Sequence, residues 1–290
     1  IQTALLEYRL ITGNPALVTQ FQTAFFKAMD PRAFFVAKTL ELRQRHTKFE
    51  NTPYSLEPNC KESPGGLRDL QIILWASKAA GFGDNWQALA ASGLATPFEV
   101  KQIQRNESLL IRVRARLHLI ANRREDRLVF DMQNAVAESF GYTTKTLVSD
   151  GAKPRRTVVR ASEALMKRYY WAAKAVAQLN QILLLNIEER LNPSTHAPRQ
   201  LNAYFNDKAG MLDVVSDDLY QREPHAILQT FLVYQTTVGI KGLSTRTLRA
   251  LYNARNVMDA GFRSDPVNRQ TFRQILMAPQ GLTHAMRLLN

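Results

Sequence analysis

Apolar residues recur every three or four positions along most of the chain, the interval at which an α-helix brings a side chain back to the same face. Ile103, Leu110, Val113, Leu117 and Ile120 form one such row, and Val158, Leu165, Tyr169, Ala173, Val176 and Leu183 form another. The second row predicts a long amphipathic helix that begins near Pro154, whose missing N–H suits a first turn, and stops near Leu191, ahead of Asn192 and Pro193. Arg160, Glu163, Lys167 and Lys174 fall on its polar face. A shorter helix is predicted after Gly66, burying Leu67, Leu70, Ile73 and Leu74 and ending near Gly81 and Gly83. Thr96, Pro97 and Glu99 have capping-box spacing and mark another helix start. Gly13, Asn14 and Pro15 turn the chain into a helix reaching about Met29, whereas Ala4 to Ile11 is short enough to be a strand or the first turns of a helix.

The periodicity breaks from Glu50 to Ser63 and from Asn192 to Pro198, stretches rich in Asn, Pro and Ser that read as connectors. They divide the chain into residues 1–51, 52–191 and 192–290, and the expected fold class is mainly all-α, a helical bundle-like domain at its centre. With 290 residues, 45% of them hydrophobic, the chain can bury the core of one large or two modest domains. No window approaches the roughly 20 consecutive apolar residues of a membrane span, so no membrane partner is expected. Cys60 is the sole cysteine, which excludes an intrachain disulfide, and five histidines without a cysteine cluster argue against structural zinc. A reducing, cytoplasmic setting fits this usage. The chain opens at Ile1 inside an apolar-periodic segment and reads as a piece of a longer protein.

A net charge of +13 and a pI near 10.0 call for an anionic partner, whether nucleic acid, a nucleotide or an acidic protein surface. Arg112, Arg114 and Arg116, and then Arg123, Arg124 and Arg127, are spread over helix faces without a helix-turn-helix, zinc-finger or RNA-binding signature. Solvated helix faces are the plainer reading, and nucleic acid is disfavoured, but a basic module that binds an acidic protein or nucleic acid stays open. The most unusual local sequence is Lys61-Glu62-Ser63-Pro64-Gly65-Gly66-Leu67-Arg68-Asp69-Leu70-Gln71. Paired glycines entering a helix let backbone N–H groups approach an anion, while Lys61 and Arg68 bracket the place with positive charge. Lys61, Gly65, Gly66 and Arg68 are therefore the nucleotide-binding candidates, although an ordinary turn with Arg68 and Asp69 in a capping arrangement fits the same residues. No metal site is predicted: His118 sits inside an amphipathic helix, and His46, His196, His225 and His284 lack carboxylates at ligand spacing. Glu125, Asp126 and Asp131 read as salt-bridge partners of Arg123, Arg124 and Arg127, and Tyr169, Tyr170 and Trp171 as core and rim packing.

Flanked by Glu57-Pro58-Asn59 and Trp75, the Gly-Gly segment resembles the bacterial bifunctional PII uridylyltransferase/uridylyl-removing enzymes. Leu5-Leu6-Glu7-Tyr8-Arg9 with Gly13, the run Glu125 to Asp131, Phe140-Gly141-Tyr142, Met166 to Tyr170, Pro224 to Leu228 and Ser244 to Arg249 extend the resemblance over essentially the whole chain. The shorter Gly-Gly-x-Arg-acidic pattern is shared with the glutamine synthetase adenylyltransferases, so that branch stays open too. The resemblance implies transfer of UMP from UTP to a tyrosine of the trimeric PII protein, its hydrolytic removal, glutamine as effector, and Mg2+ as the ion. It implies that residues 1–51 complete an α/β nucleotidyltransferase domain, that 52–191 form its helical partner, and that 192–290 form a helical linker toward an HD-type hydrolase. Neither an Asp-x-Asp pair after a Gly-Ser turn nor a His-Asp dipeptide occurs here, so the chain lacks a complete catalytic site of its own. Glu7 is the candidate third carboxylate, a general base or metal ligand by the resemblance. A Glu7 paired with Arg9 or Arg43 is the competing reading.

Overall fold

The computed structural model describes residues 1–148 and 156–289, which fall into two compact units, Ile1–Leu191 and Asn192–Asn290. The first opens with α1 (Gln2–Leu6), so the ambiguous apolar start is helical for one turn, and Tyr8 to Leu10 then follow without regular structure. Helix α2 (Pro15–Ala28) is capped by Asn14, whose side chain accepts from the Ala16 N–H at 2.9 Å, and α3 (Pro31–Lys48) is capped in the same way by Asp30. No strand occurs among the described residues up to 51, so the α/β character expected there is not seen in this stretch. Glu50 and Asn51, both at positive φ, end the α3 region and begin the turn-rich connector.

Helix α4 (Leu67–Ala79) follows the Gly-Gly turn, then come α5 (Trp86–Ala91), α6 (Pro97–Ala121) and α7 (Phe130–Ser139). The capping box opens α6 as its spacing predicts: Thr96 Oγ1 accepts from the Glu99 N–H at 3.1 Å, and Glu99 Oε2 accepts from the Thr96 N–H at 2.7 Å. Two short strands, β1 (Lys145–Val148) and β2 (Arg156–Val159), pair antiparallel before α8 (Ala161–Leu191). Helix α8 is the spine of the unit. It packs against α4, α6 and α7 and buries Leu165, Tyr169, Ala173, Val176 and Leu183. Its predicted end at Leu191 is observed, but its start is not: the helix begins at Ala161, Val158 lies exposed in β2, and Pro154 lies outside the described residues. The β-branched run Thr157-Val158-Val159 favours extended backbone, and one residue in register with a helical row cannot reveal the change of period.

The second unit, expected as a helical linker region, also contains strands. It holds a four-stranded sheet ordered β3 (Arg199–Gln200), β4 (Phe205–Lys208), β5 (Met211–Val214) and β6 (Gly242–Leu243), antiparallel except for the β5–β6 pair. The strands span two to four residues, too short for a period of two to stand out, and β4 is largely polar. Ala209 and Gly210 turn β4 into β5 at φ values of 57° and 84°, with Asp207 Oδ1 accepting from the Gly210 N–H at 2.7 Å. Helices α9 (Leu219–Arg222), α10 (Ala226–Thr236), α11 (Thr245–Ala254), α12 (Ala260–Ser264), α13 (Pro266–Met277) and α14 (Leu282–Leu289) complete it. Phe205, Leu212, Val214, Tyr220, Ile227, Phe231, Leu243 and Ile275 fill its core. Helices carry most of the structure in both units, so the mainly-α class holds.

Candidate anion-binding site

The candidate residues lie on a loop whose own hydrogen bonds fix its shape. Asn59 Oδ1 accepts from the Lys61 and Glu62 N–H groups at 3.0 and 2.8 Å, and Ser63 Oγ accepts from the Asn59 N–H at 2.9 Å. Cys60 N–H donates to Asp126 O at 2.7 Å and Leu128 N–H to Pro58 O at 2.9 Å, which fastens the loop to the connection between α6 and α7. Gly65 has φ +77°, and a Cβ there would lie 2.0 Å from Ala173 O on α8. A Cβ on Gly66 would approach Lys61 O and Ser63 O to 2.8 Å. Both glycines are thus required by close packing of backbone on backbone.

Their N–H groups are already taken. Gly65 N–H donates to Asp69 Oδ2 at 2.7 Å, Gly66 N–H to Ser63 O at 2.8 Å, Leu67 N–H to Cys60 O at 3.1 Å and Arg68 N–H to Lys61 O at 2.9 Å. The backbone approach to an anion expected of Gly65 and Gly66 is therefore used up inside the loop. What the loop offers outward is side-chain charge.

Asp69 is fully buried and organises the cluster. Its Oδ1 accepts from Arg45 Nη2 at 2.6 Å and lies 2.9 Å from His46 Nε2, both residues of α3. Its backbone carbonyl accepts from Asn180 Nδ2 of α8 at 2.7 Å. A buried carboxylate is tolerated only with such partners, so Asp69 ties α3, the loop and α8 together. Neither Arg45 nor His46 is marked by sequence pattern, because the contact joins residues 24 and 23 positions apart. Asp69 had only a capping arrangement with Arg68 to suggest a role.

On the outer side, Arg68 Nη1 donates to Gln71 Oε1 at 2.8 Å, and its guanidinium lies 5.1 Å from the Trp75 ring centre. Lys38 of α3 also lies over that ring, at 5.6 Å, and binds Glu41 at 2.7 Å. Arg68, Lys61 and Arg45 converge on one carboxylate, Glu62, at 3.4, 3.6 and 3.7 Å. Behind the loop, burial and then the Asp126 charge push the Cys60 thiol up to about 12, and burial raises the adjoining Tyr169 well above its ordinary range, so both are neutral.

The structure thus brings Lys61, Gly65, Gly66 and Arg68 together. Glu7 stands apart from their bonds: it is exposed, caps the C-terminus of α1, and makes no ion pair with Arg9 or Arg43 among the described residues. Helix α1 packs on α4, the helix that carries Arg68. No group of three or more His, Cys, Asp or Glu residues able to hold a metal occurs among the described residues. The Glu125 cluster is held by salt bridges, with partners partly different from those expected. Arg123 pairs with Glu125 at 3.0 Å, but Arg127 pairs with Glu57 at 3.1 Å and Asp126 with Arg114 and His118 at 2.6 and 3.1 Å. Burial works to raise the Asp126 carboxyl, and the Arg114 and His118 contacts outweigh it and hold it below its usual range. No helix of the described residues is long and apolar enough to cross a membrane.

Residues 33–184 match the family model for the GlnD PII-uridylyltransferase, and residues 205–290 match that for the uridylyltransferase GlnD third domain. The chain belongs to the GlnD PII-uridylyltransferase family, as its residues suggested. Among curated proteins it is 59% identical to the bifunctional uridylyltransferase/uridylyl-removing enzyme of Cupriavidus pinatubonensis and 58% identical to that of Cupriavidus metallidurans, over its full length. The enzyme of the same name from Burkholderia mallei is 56% identical. Each match takes in 100% of this chain and 32 to 33% of the relative, so the chain spans about a third of the length of these relatives. No solved structure matches it.

Proposed function

We propose that this chain supplies the helical side of the nucleotide site in a protein-PII uridylyltransferase, the cytoplasmic enzyme that moves UMP from UTP to PII and removes it again under control of glutamine. In this reading residues 1–51 complete the nucleotidyltransferase domain, 52–191 form its helical partner, and 192–290 lead toward the hydrolase. The observation that carries it is the convergence of Lys61 and Arg68 on one partly exposed rim, each within 3.6 Å of the same carboxylate. Uridylyl transfer joins the acceptor tyrosine oxygen to the α-phosphorus of UTP and breaks the α–β phosphoanhydride bond, releasing pyrophosphate. Little covalent work falls to the protein, so rigid positive charge beside the triphosphate is the main help it can give. Lys61 and Arg68 supply that charge, while Gly65 and Gly66 act by holding the loop against α8. Glu7 is assigned as a carboxylate that accepts the tyrosine proton. Mg2+ belongs to the whole enzyme in this reading, and no step is assigned to it here.

The complete enzyme tests this. Replacing Arg68 with Ala removes charge-assisted contacts worth about 1.5–3 kcal/mol, so the UTP requirement should rise roughly ten- to a hundredfold. An unchanged requirement contradicts the assignment. Glu7→Gln should slow transfer with little change in the UTP requirement, and an unchanged rate removes Glu7 from the chemistry. The likeness to uridylyltransferase/uridylyl-removing enzymes favours the uridylyl branch over the adenylyl one, and labelling of PII or of glutamine synthetase separates the two directly.

A further inference from the structure

We infer that the Glu62 carboxylate is an internal stand-in for phosphate, resting among Arg45, Lys61 and Arg68 where a nucleotide's phosphates displace it. This rests on reading the loop as the phosphate site. Closed bonds between a cation and a carboxylate run about 2.7–2.9 Å, whereas the three cations lie 3.7, 3.6 and 3.4 Å from Glu62. The same arginines make shorter bonds elsewhere: Arg45 to Asp69 Oδ1 and to Glu62 O, both at 2.6 Å, and Arg68 to Gln71 at 2.8 Å. The two arginines are therefore held in place by shorter bonds to other partners, and Glu62 lies between them and Lys61 with only a long bond to Arg68, at 3.4 Å.

Its backbone cannot follow its side chain out. The Glu62 N–H is bound to Asn59 Oδ1 at 2.8 Å, and its carbonyl accepts from Arg45 Nη1. Its side chain is 29% exposed, so rotation toward water costs no rearrangement of the loop. Asp69, at 0% exposure with a 2.6 Å bond to Arg45, cannot leave in that way. The loop thus carries one fixed and one exchangeable carboxylate. Displacing Glu62 imposes a constant cost, which a polyphosphate meets through its several charges and a singly charged ion does not. Glu62 acts as a specificity-determining residue.

The test titrates the full 290-residue chain with inorganic pyrophosphate at fixed salt, as wild type, Glu62→Gln, Glu62→Ala and Arg68→Ala. Both Glu62 variants should bind pyrophosphate about tenfold more tightly, given the field of one removed charge at this range, and Arg68→Ala should bind it more weakly. If both Glu62 variants bind equally or more weakly while Arg68→Ala still weakens binding, Glu62 is a brace of the loop and the inference is overturned, with the phosphate site standing. If Arg68→Ala changes nothing, or neither wild type nor Glu62→Gln binds, the phosphate site falls and the inference with it.

Discussion

Each unit of the molecule buries a carboxylate at a junction of elements, and the two are satisfied by different partners. In the first, Asp69 meets Arg45 and His46, charged or chargeable groups brought from α3. In the second, Asp213 on β5 accepts from the Ser244 hydroxyl at 2.5 Å, and Thr247 links Leu212 O and the Val214 N–H to α11. No cation pairs with Asp213 among the described residues. Neutral hydroxyls tie a sheet to a helix and finish the matter. Beside Asp69 the rim gathers Arg45, Lys61 and Arg68 around the single carboxylate of Glu62, and that positive charge makes the first junction the candidate for binding anions.

The contrast can be broken from either side. The largest effect should come from Arg45→Met, which removes the arginine that pairs with the buried Asp69 charge and should cost about 3–5 kcal/mol of stability by urea unfolding. A loss below 1 kcal/mol would mean that Asp69 is not held as described. Gly65→Ala should cost about 2–4 kcal/mol, combining left-handed backbone with a clash against α8. Gly81→Ala sharpens the point: its φ is +73° but nothing lies within 4 Å of an added Cβ. It should therefore cost only the conformational share, about 1 kcal/mol, and equal losses at the two glycines would remove the packing argument.

Ser244→Ala should cost about 1–3 kcal/mol, from a lost cap and an unpaired buried carboxylate, without altering the UTP requirement of the complete enzyme. The smallest effect is a pH dependence. Asp126 is held below its ordinary value of 3.8, so its contribution is fully present above that pH and is lost as pH falls through the lower folded-state value. Asp126→Asn should flatten this acid limb of the unfolding curve, and an unaltered limb would show that the Arg114 and His118 pair carries no such linkage.

Much of the first unit was legible because its determinants are local. Thr96 and Glu99 announce α6, Asn192 and Pro193 close α8, and Lys61 and Arg68 stand out beside Gly65 and Gly66. The start of α8 was misplaced because Val158 happens to fall on a helical row while its β-branched neighbours pair with β1. The sheet of the second unit was missed because its strands are shorter than the window that periodicity needs, and its turn is made by Ala209-Gly210 rather than by a typical hairpin pair. The roles of Arg45, His46 and Glu62 were not legible for another reason: they are set by tertiary contacts with Asp69 and Arg68, and no spacing along the chain encodes those. The Gly-Gly turn, read as a cradle for an anion, proved to spend its N–H groups on the loop itself.

The most direct test of the central claim is the UTP dependence of PII labelling by the complete enzyme, measured for wild type, Arg68→Ala and Ser244→Ala. The account predicts a higher UTP requirement for Arg68→Ala alone. An unchanged requirement for Arg68→Ala, or an equal rise for both variants, would contradict it.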